Sequence, residues 1–127
     1  MKLTITKDVI IKESDIDDIM CTALEGGITY WCIDAKPTAE NWPEKYGVKW
    51  LHEIISRGGE IILTDEDDVK YRLTKHHFLT GLQQFVNEFN CTLEPCNGGY
   101  NIDTSEIDAS GADLIIQYAL FGELVFA

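Results

Sequence analysis

The sequence is poor in positive charge. It has two arginines, Arg57 and Arg72, and ten cations in all against 22 acids, for a formal charge of −12. Binding nucleic acid through an ordinary basic surface is therefore excluded as an expectation, because neutralising phosphates supplies most of that affinity. Long hydrophobic runs are also lacking, and no segment is apolar for long enough to span a bilayer. Met1–Lys7 has no apolar signal-peptide core, so a cytosolic protein without a membrane partner is expected. Metal ligands are few. Cys91-x4-Cys96 has no second pair to complete it. Cys21, Cys32, His52, His76 and His77 do not fall at ligand spacings. Free thiols, no metal and no cofactor are expected. The phosphate loop, nucleophile elbow, His-Glu-x-x-His and Rossmann glycine patterns are all missing, so no catalytic residue is assigned and a non-enzymatic role is expected.

What is present is a chain of 127 residues with 45% hydrophobic side chains, enough for a single domain over residues 1–127 with its own core. Its densest stretch is Ala23-Leu24-Glu25-Gly26-Gly27-Ile28-Thr29-Tyr30-Trp31-Cys32. Ile16, Ile19, Met20, Ala23, Leu24, Gly27, Tyr30 and Trp31 share one helical face. One long helix, kinked at the glycines, is the favoured expectation. The rival is a helix that stops at Gly26-Gly27 with a strand from Ile28. In either case the bare Gly27 invites close approach by another backbone or by a ligand.

The rest of the chain divides into short elements. Lys2–Ile11 alternates weakly and reads as a strand or extended arm. Ser14 is expected to open the first helix, with Asp15, Asp17 and Asp18 complementing its dipole. Asp34–Gly47 has loop composition. Val48–Ser56 reads as a short helix stopped by Arg57-Gly58-Gly59. Glu60–Thr64 and Val69–Thr74 predict an antiparallel hairpin across the acidic turn Asp65–Asp68. Thr74 caps a helix reaching Phe89. Residues 90–107 read as a polar loop, with an extended piece near Tyr100–Ile102. A last helix runs from Asp108 to Gly122, with a face of small residues and a short apolar tail after it. The expected fold is α+β: three main helices packed with a small antiparallel β-hairpin or sheet.

For binding chemistry, Arg57 beside Gly58 combines a cation with unobstructed backbone N–H groups, which suits phosphate oxygens. Tyr30, Trp31 and Phe85 can contact or stack on a base, Arg72 can supply a second cation, and Asn90 can read a base edge. Each has a plainer reading. Trp31 is more often core, Arg57 can satisfy helix carbonyls, Arg72 can pair with Glu60 across the hairpin, and Asn90 is an ordinary helix-ending residue. The binding reading depends on convergence of these residues in space.

Three segments together resemble small proteins of phages and prophages of Gram-positive bacteria: Ala23–Cys32, Ile55–Gly59, and Ile115-Ile116-Gln117-Tyr118-Ala119-Leu120-Phe121-Gly122-Glu123. The chain is similar, from about Ser14 to Phe126, to the anti-Thoeris sponge family, the first Thoeris anti-defence type. The resemblance implies sequestration, without cleavage, of a cyclic nucleotide signal, a cyclic ADP-ribose isomer. In some members cyclic oligonucleotides are held at separate sites. It also implies a homo-oligomer, dimer or hexamer, in the cytoplasm of an infected bacterial host, with Arg57 as the residue carried over. The alternative is an acidic nucleic-acid mimic that inhibits a host defence nuclease, motivated by the −12 charge and the Asp65–Asp68 run.

Overall fold

A computed structural model describes residues 1–89 and 91–127. Its architecture is α+β, as expected, with more strand than the sequence pattern shows. The elements are β1 (Val9–Ile10), α1 (Glu13–Thr22), β2 (Cys32–Pro37), α2 (Trp42–Tyr46), β3 (Ile61–Asp65), β4 (Lys70–Leu73), α3 (Lys75–Glu88), β5 (Leu93–Cys96), β6 (Gly99–Ile102) and α4 (Ala109–Phe121). The strands form two three-stranded sheets, β2-β3-β4 and β1-β6-β5.

The one long helix is corrected, whereas the rival reading has the stop at the glycines right and only the strand start wrong. α1 begins after Lys12 rather than Ser14, and the Lys12 N–H donates to Asp15 Oδ2 at 2.9 Å. It ends at Thr22 and continues as one wide π turn, Ala23–Gly27, in which Ile28 N–H donates to Ala23 C=O at 3.0 Å. Ile28–Trp31 is a turn, and the strand starts at Cys32 rather than Ile28. Close packing imposes this path. A Cβ on Gly27 would lie 2.6 Å from the Ala109 carbonyl oxygen of α4. Only a bare α-carbon lets the two backbones meet there.

β2 corrects the expected loop. It pairs antiparallel with β3, Pro37 opposite Ile61 and Asp34 opposite Thr64, with an irregularity between Cys32 and Asp34. Pro37 is tolerated because β2 is an edge strand. The predicted hairpin is β3–β4, with Ile61 opposite Leu73 and Thr64 opposite Lys70. The expected Val48–Ser56 helix is instead two single 3-10 turns, Leu51–Glu53 and Ile55–Arg57. Gly58 stops the second in the left-handed region, φ 85°. The expected polar loop of residues 90–107 holds the β5–β6 hairpin, and β6 also pairs parallel with β1 through Tyr100 and Asn101.

α3 and α4 follow the sequence signals. Thr74 Oγ1 accepts from the His77 N–H at 3.2 Å, and Asp108 Oδ1 accepts from the Gly111 N–H at 2.8 Å. The two helices touch where Gly81 meets the backbone of Ile115 and Ala119. Around them lies one core that includes Met20, Ile55, Leu63, Phe78, Ile115 and Ile116, each fully or almost fully buried. Among the described residues, no helix is long and apolar enough to cross a membrane.

Candidate functional site

The best-defined polar constellation joins the turn after α1 to α4 and to the chain beyond it. Asp113 and Gln117 are one helical turn apart on α4, on the face that packs inward. Burying an aspartate and a glutamine there demands that their hydrogen bonds be met, and they are. Trp31 Nε1–H donates to Asp113 Oδ1 at 2.8 Å, Tyr30 O–H donates to Asp113 Oδ2 at 2.6 Å, and Gln117 Nε2–H donates to Asp113 Oδ1 at 2.9 Å. Partial burial and then the bond to Asp113 push the Tyr30 phenol up to about 12.

The remaining polar capacity of Gln117 holds the tail after α4. Its Oε1 accepts from the N–H groups of Val125 and Phe126, both at 2.8 Å, and its Nε2 donates to the Phe126 carbonyl at 3.2 Å. One carboxamide thereby acts as a strand edge would, satisfying donors and an acceptor of an extended segment. Tyr30 O–H adds a 3.1 Å contact to the same carbonyl. The Phe126 ring then stacks on Trp31, centroids 4.6 Å apart and planes 5° from parallel.

A cleft of about 310 Å³ opens beside this stack, between Tyr30, Trp31, Asp65, Glu66, Asp67, Phe126 and Ala127. Its charged wall is acidic. Asp65 faces inward: Oδ1 accepts from the N–H groups of Asp67 and Val69 at 2.9 and 3.0 Å, and Oδ2 accepts from Tyr71 O–H at 2.7 Å. The Tyr71 bond holds the Asp65 carboxyl below the usual carboxylate range and raises the Tyr71 phenol. Asp65 thus shapes the turn, while Glu66, Asp67 and Asp68 face solvent. Like charge makes this cleft unfavourable for a diphosphate.

The residues singled out from sequence do not converge within one chain. Trp31 is 3% exposed and its indole N–H is committed to Asp113. Tyr30 is committed to the same carboxylate. Phe85 is 8% exposed and stacks on the exposed Phe89 at the end of α3, centroids 4.9 Å apart. Arg72 lies 3.6 Å from Glu60, the plainer cross-hairpin reading. Arg57 Nε lies 2.7 Å from Glu13 Oε2, with its side chain 38% exposed. The adjoining Gly58 has open space around its α-carbon. Asn90 lies outside the described residues. Asp113 and Gln117 were missed, and the signal available for them was an Asp-x3-Gln pair on the otherwise apolar face of the last helix. Among the described residues, no group of three or more His, Cys, Asp or Glu side chains is placed to hold a metal.

The chain matches no protein-family model, no curated protein and no solved structure.

Proposed function

We propose that the protein is a phage-encoded immune-evasion sponge. It binds a cyclic nucleotide signal, a cyclic ADP-ribose isomer, in the cytoplasm of an infected bacterium and holds it without cleavage. Cyclic oligonucleotides are a second ligand class to test. The reading draws on the resemblance in Ala23–Cys32, Ile55–Gly59 and Ile115–Glu123. The observation that carries it is the Arg57–Gly58 turn. There, an arginine steadied by Glu13 and more than one-third exposed stands beside a left-handed glycine with open space around it. The guanidinium is what this turn offers to phosphate oxygens. The expected backbone donors are not free, because the Arg57, Gly58 and Gly59 N–H groups already donate to the Ile54 and Ile55 carbonyls. Tyr30, Trp31, Phe85 and Arg72 have separate partners in the single chain, so the reading requires a homo-oligomer in which a second subunit completes the aromatic and cationic contacts.

The test is capture. Purified protein is mixed with the cyclic ADP-ribose isomer, freed of unbound nucleotide and heated to release what it held. Intact ligand is expected from the native chain. Arg57→Ala is expected to retain at least tenfold less with its melting temperature nearly unchanged, because an exposed ion pair contributes only about 0–1 kcal/mol. Recovery of no nucleotide, or of a hydrolysed one, refutes the reading.

A further inference from the structure

The segment after α4 is held by side chains. Gly122 stops the helix in the left-handed region, φ 73°, and residues 123–127 belong to no helix or strand. Among the described residues, no main-chain group of another element bonds this tail. Leu124 and Val125 stay half exposed, 54% and 51%. What docks the tail is one ring and one carboxamide. Phe126 stacks on Trp31, and Gln117 bonds the N–H groups of Val125 and Phe126 and the Phe126 carbonyl.

The place that Phe126 fills is built independently of it. The Trp31 ring is oriented by its N–H donating to Asp113 and by the edge of Tyr71, centroids 6.4 Å apart. Phe121 stands beside the Phe126 ring, centroids 5.9 Å apart, and itself packs on Tyr71. The carboxamide is fixed as well. The Asp113 carboxylate can only accept, so the Gln117 amino group faces it and Oε1 faces the tail. The slot therefore presents a flat aromatic floor, with an acceptor and an N–H donor side by side at its edge. It opens into the cleft of about 310 Å³ beside Tyr30 and Asp65–Asp67.

An adenine ring matches that pattern. A purine stacks on an aromatic face, and its amino group and neighbouring ring nitrogen pair with a glutamine carboxamide through two hydrogen bonds. The tail meets the same demands with a ring from one part of Phe126 and main chain from another. Adenine meets them in one rigid plane, without the backbone ordering that docks a flexible segment. Gln117 is fully buried, so a slot left empty would strip its carboxamide of partners. Exchange of occupants is therefore favoured over a slot standing open. The acidic wall of the cleft selects against phosphate beside it, which points to an uncharged base or nucleoside.

We propose that the Trp31 slot is a binding site for adenine or its nucleoside, and that Phe126 is its removable plug. This goes beyond the sponge reading and does not rest on it: Arg57 takes no part, and the ligand carries no phosphate.

The experiment adds millimolar adenosine to the full native chain and follows it by NMR. The Trp31 indole N–H is expected to shift, and the Val125 and Phe126 amides to exchange at least tenfold faster as the tail is displaced. Phe126→Ala removes the plug and is expected to bind adenosine at least tenfold more tightly than the native chain. Val125→Pro removes an N–H that Gln117 holds, keeps the Phe126 ring and is expected to act in the same direction. Inosine carries a carbonyl in place of the amino group. It is expected to bind at least tenfold more weakly than adenosine, because Asp113 stops the carboxamide from turning round. A native chain that does not respond to adenosine overturns the proposal. So does binding that leaves the tail amides protected, binding that does not separate adenosine from inosine, or a folded Phe126→Ala chain with no gain in affinity. If a variant fails to fold, the native chain decides alone. Capture of the cyclic ADP-ribose isomer is measured separately, so either proposal can fail without the other.

Discussion

Replacing Gln117 with methionine tests the account of the Asp113–Gln117 constellation. Methionine keeps the length and nearly the volume of glutamine, so little cavity is made. What is lost is the carboxamide, which is fully buried and bonded to Asp113, Tyr30, Val125 and Phe126. A net hydrogen bond is worth about 1 kcal/mol and one to a charged group about 1.5–3 kcal/mol. The Val125 and Phe126 groups regain water if the tail undocks, which discounts their share. The expected destabilisation is about 3 kcal/mol, or roughly 10 °C in Tm for a domain of this size. Because Phe126 reaches Trp31 only when the tail is held, Gln117→Met and Phe126→Ala act through one event. The double variant should therefore cost at most about 1 kcal/mol more than the worse single one. Denaturant unfolding measures the free energies, and amide exchange at Val125 and Phe126 reads tail docking. The reasoning is refuted if Gln117→Met costs under about 0.5 kcal/mol with tail protection intact, or if the two substitutions add in full.

Two adjacent glycines should respond in opposite directions. Gly27→Ala drives a Cβ to 2.6 Å from the Ala109 carbonyl oxygen and should cost at least about 2 kcal/mol, whereas Gly26→Ala meets nothing within 4 Å and should stabilise by about 0.5–1 kcal/mol, both read by chemical denaturation. The Tyr30 phenol is raised from 10.0 to about 12 in the folded chain, so its contribution is complete below pH 10 and falls as pH climbs toward 12. Tyr30→Phe should flatten that alkaline decline in a Tm-versus-pH series, although Tyr71 and Tyr118, also raised, keep part of it. An unchanged slope would show that the Tyr30 phenol is not held up by its burial and its bond to Asp113 in the folded chain.

The sequence alone determined the elements that depend on local chemistry. Thr74 and Asp108 satisfy backbone donors at the first turns of their own helices, so α3 and α4 are legible without knowing what they pack against. The β3–β4 hairpin is likewise written in local alternation and a polar turn, and the stop after Arg57 in a glycine that accepts φ 85°. Tertiary contact decided what depends on partners distant in sequence. β2 has no clean alternation and becomes a strand because β3 offers it a ladder. Val9–Ile10 and Tyr100–Asn101 pair across some ninety residues. The helix of Ile16 to Trp31 is cut short because α4 presses its backbone against Gly27. The same holds for the candidate site. Residue type marked Arg57, Arg72, Tyr30 and Trp31, but Glu13, Glu60 and Asp113 decided what each one touches. A side chain's type fixes which bonds it can make, whereas its partners are set by the packing that brings remote segments within about 3 Å of each other.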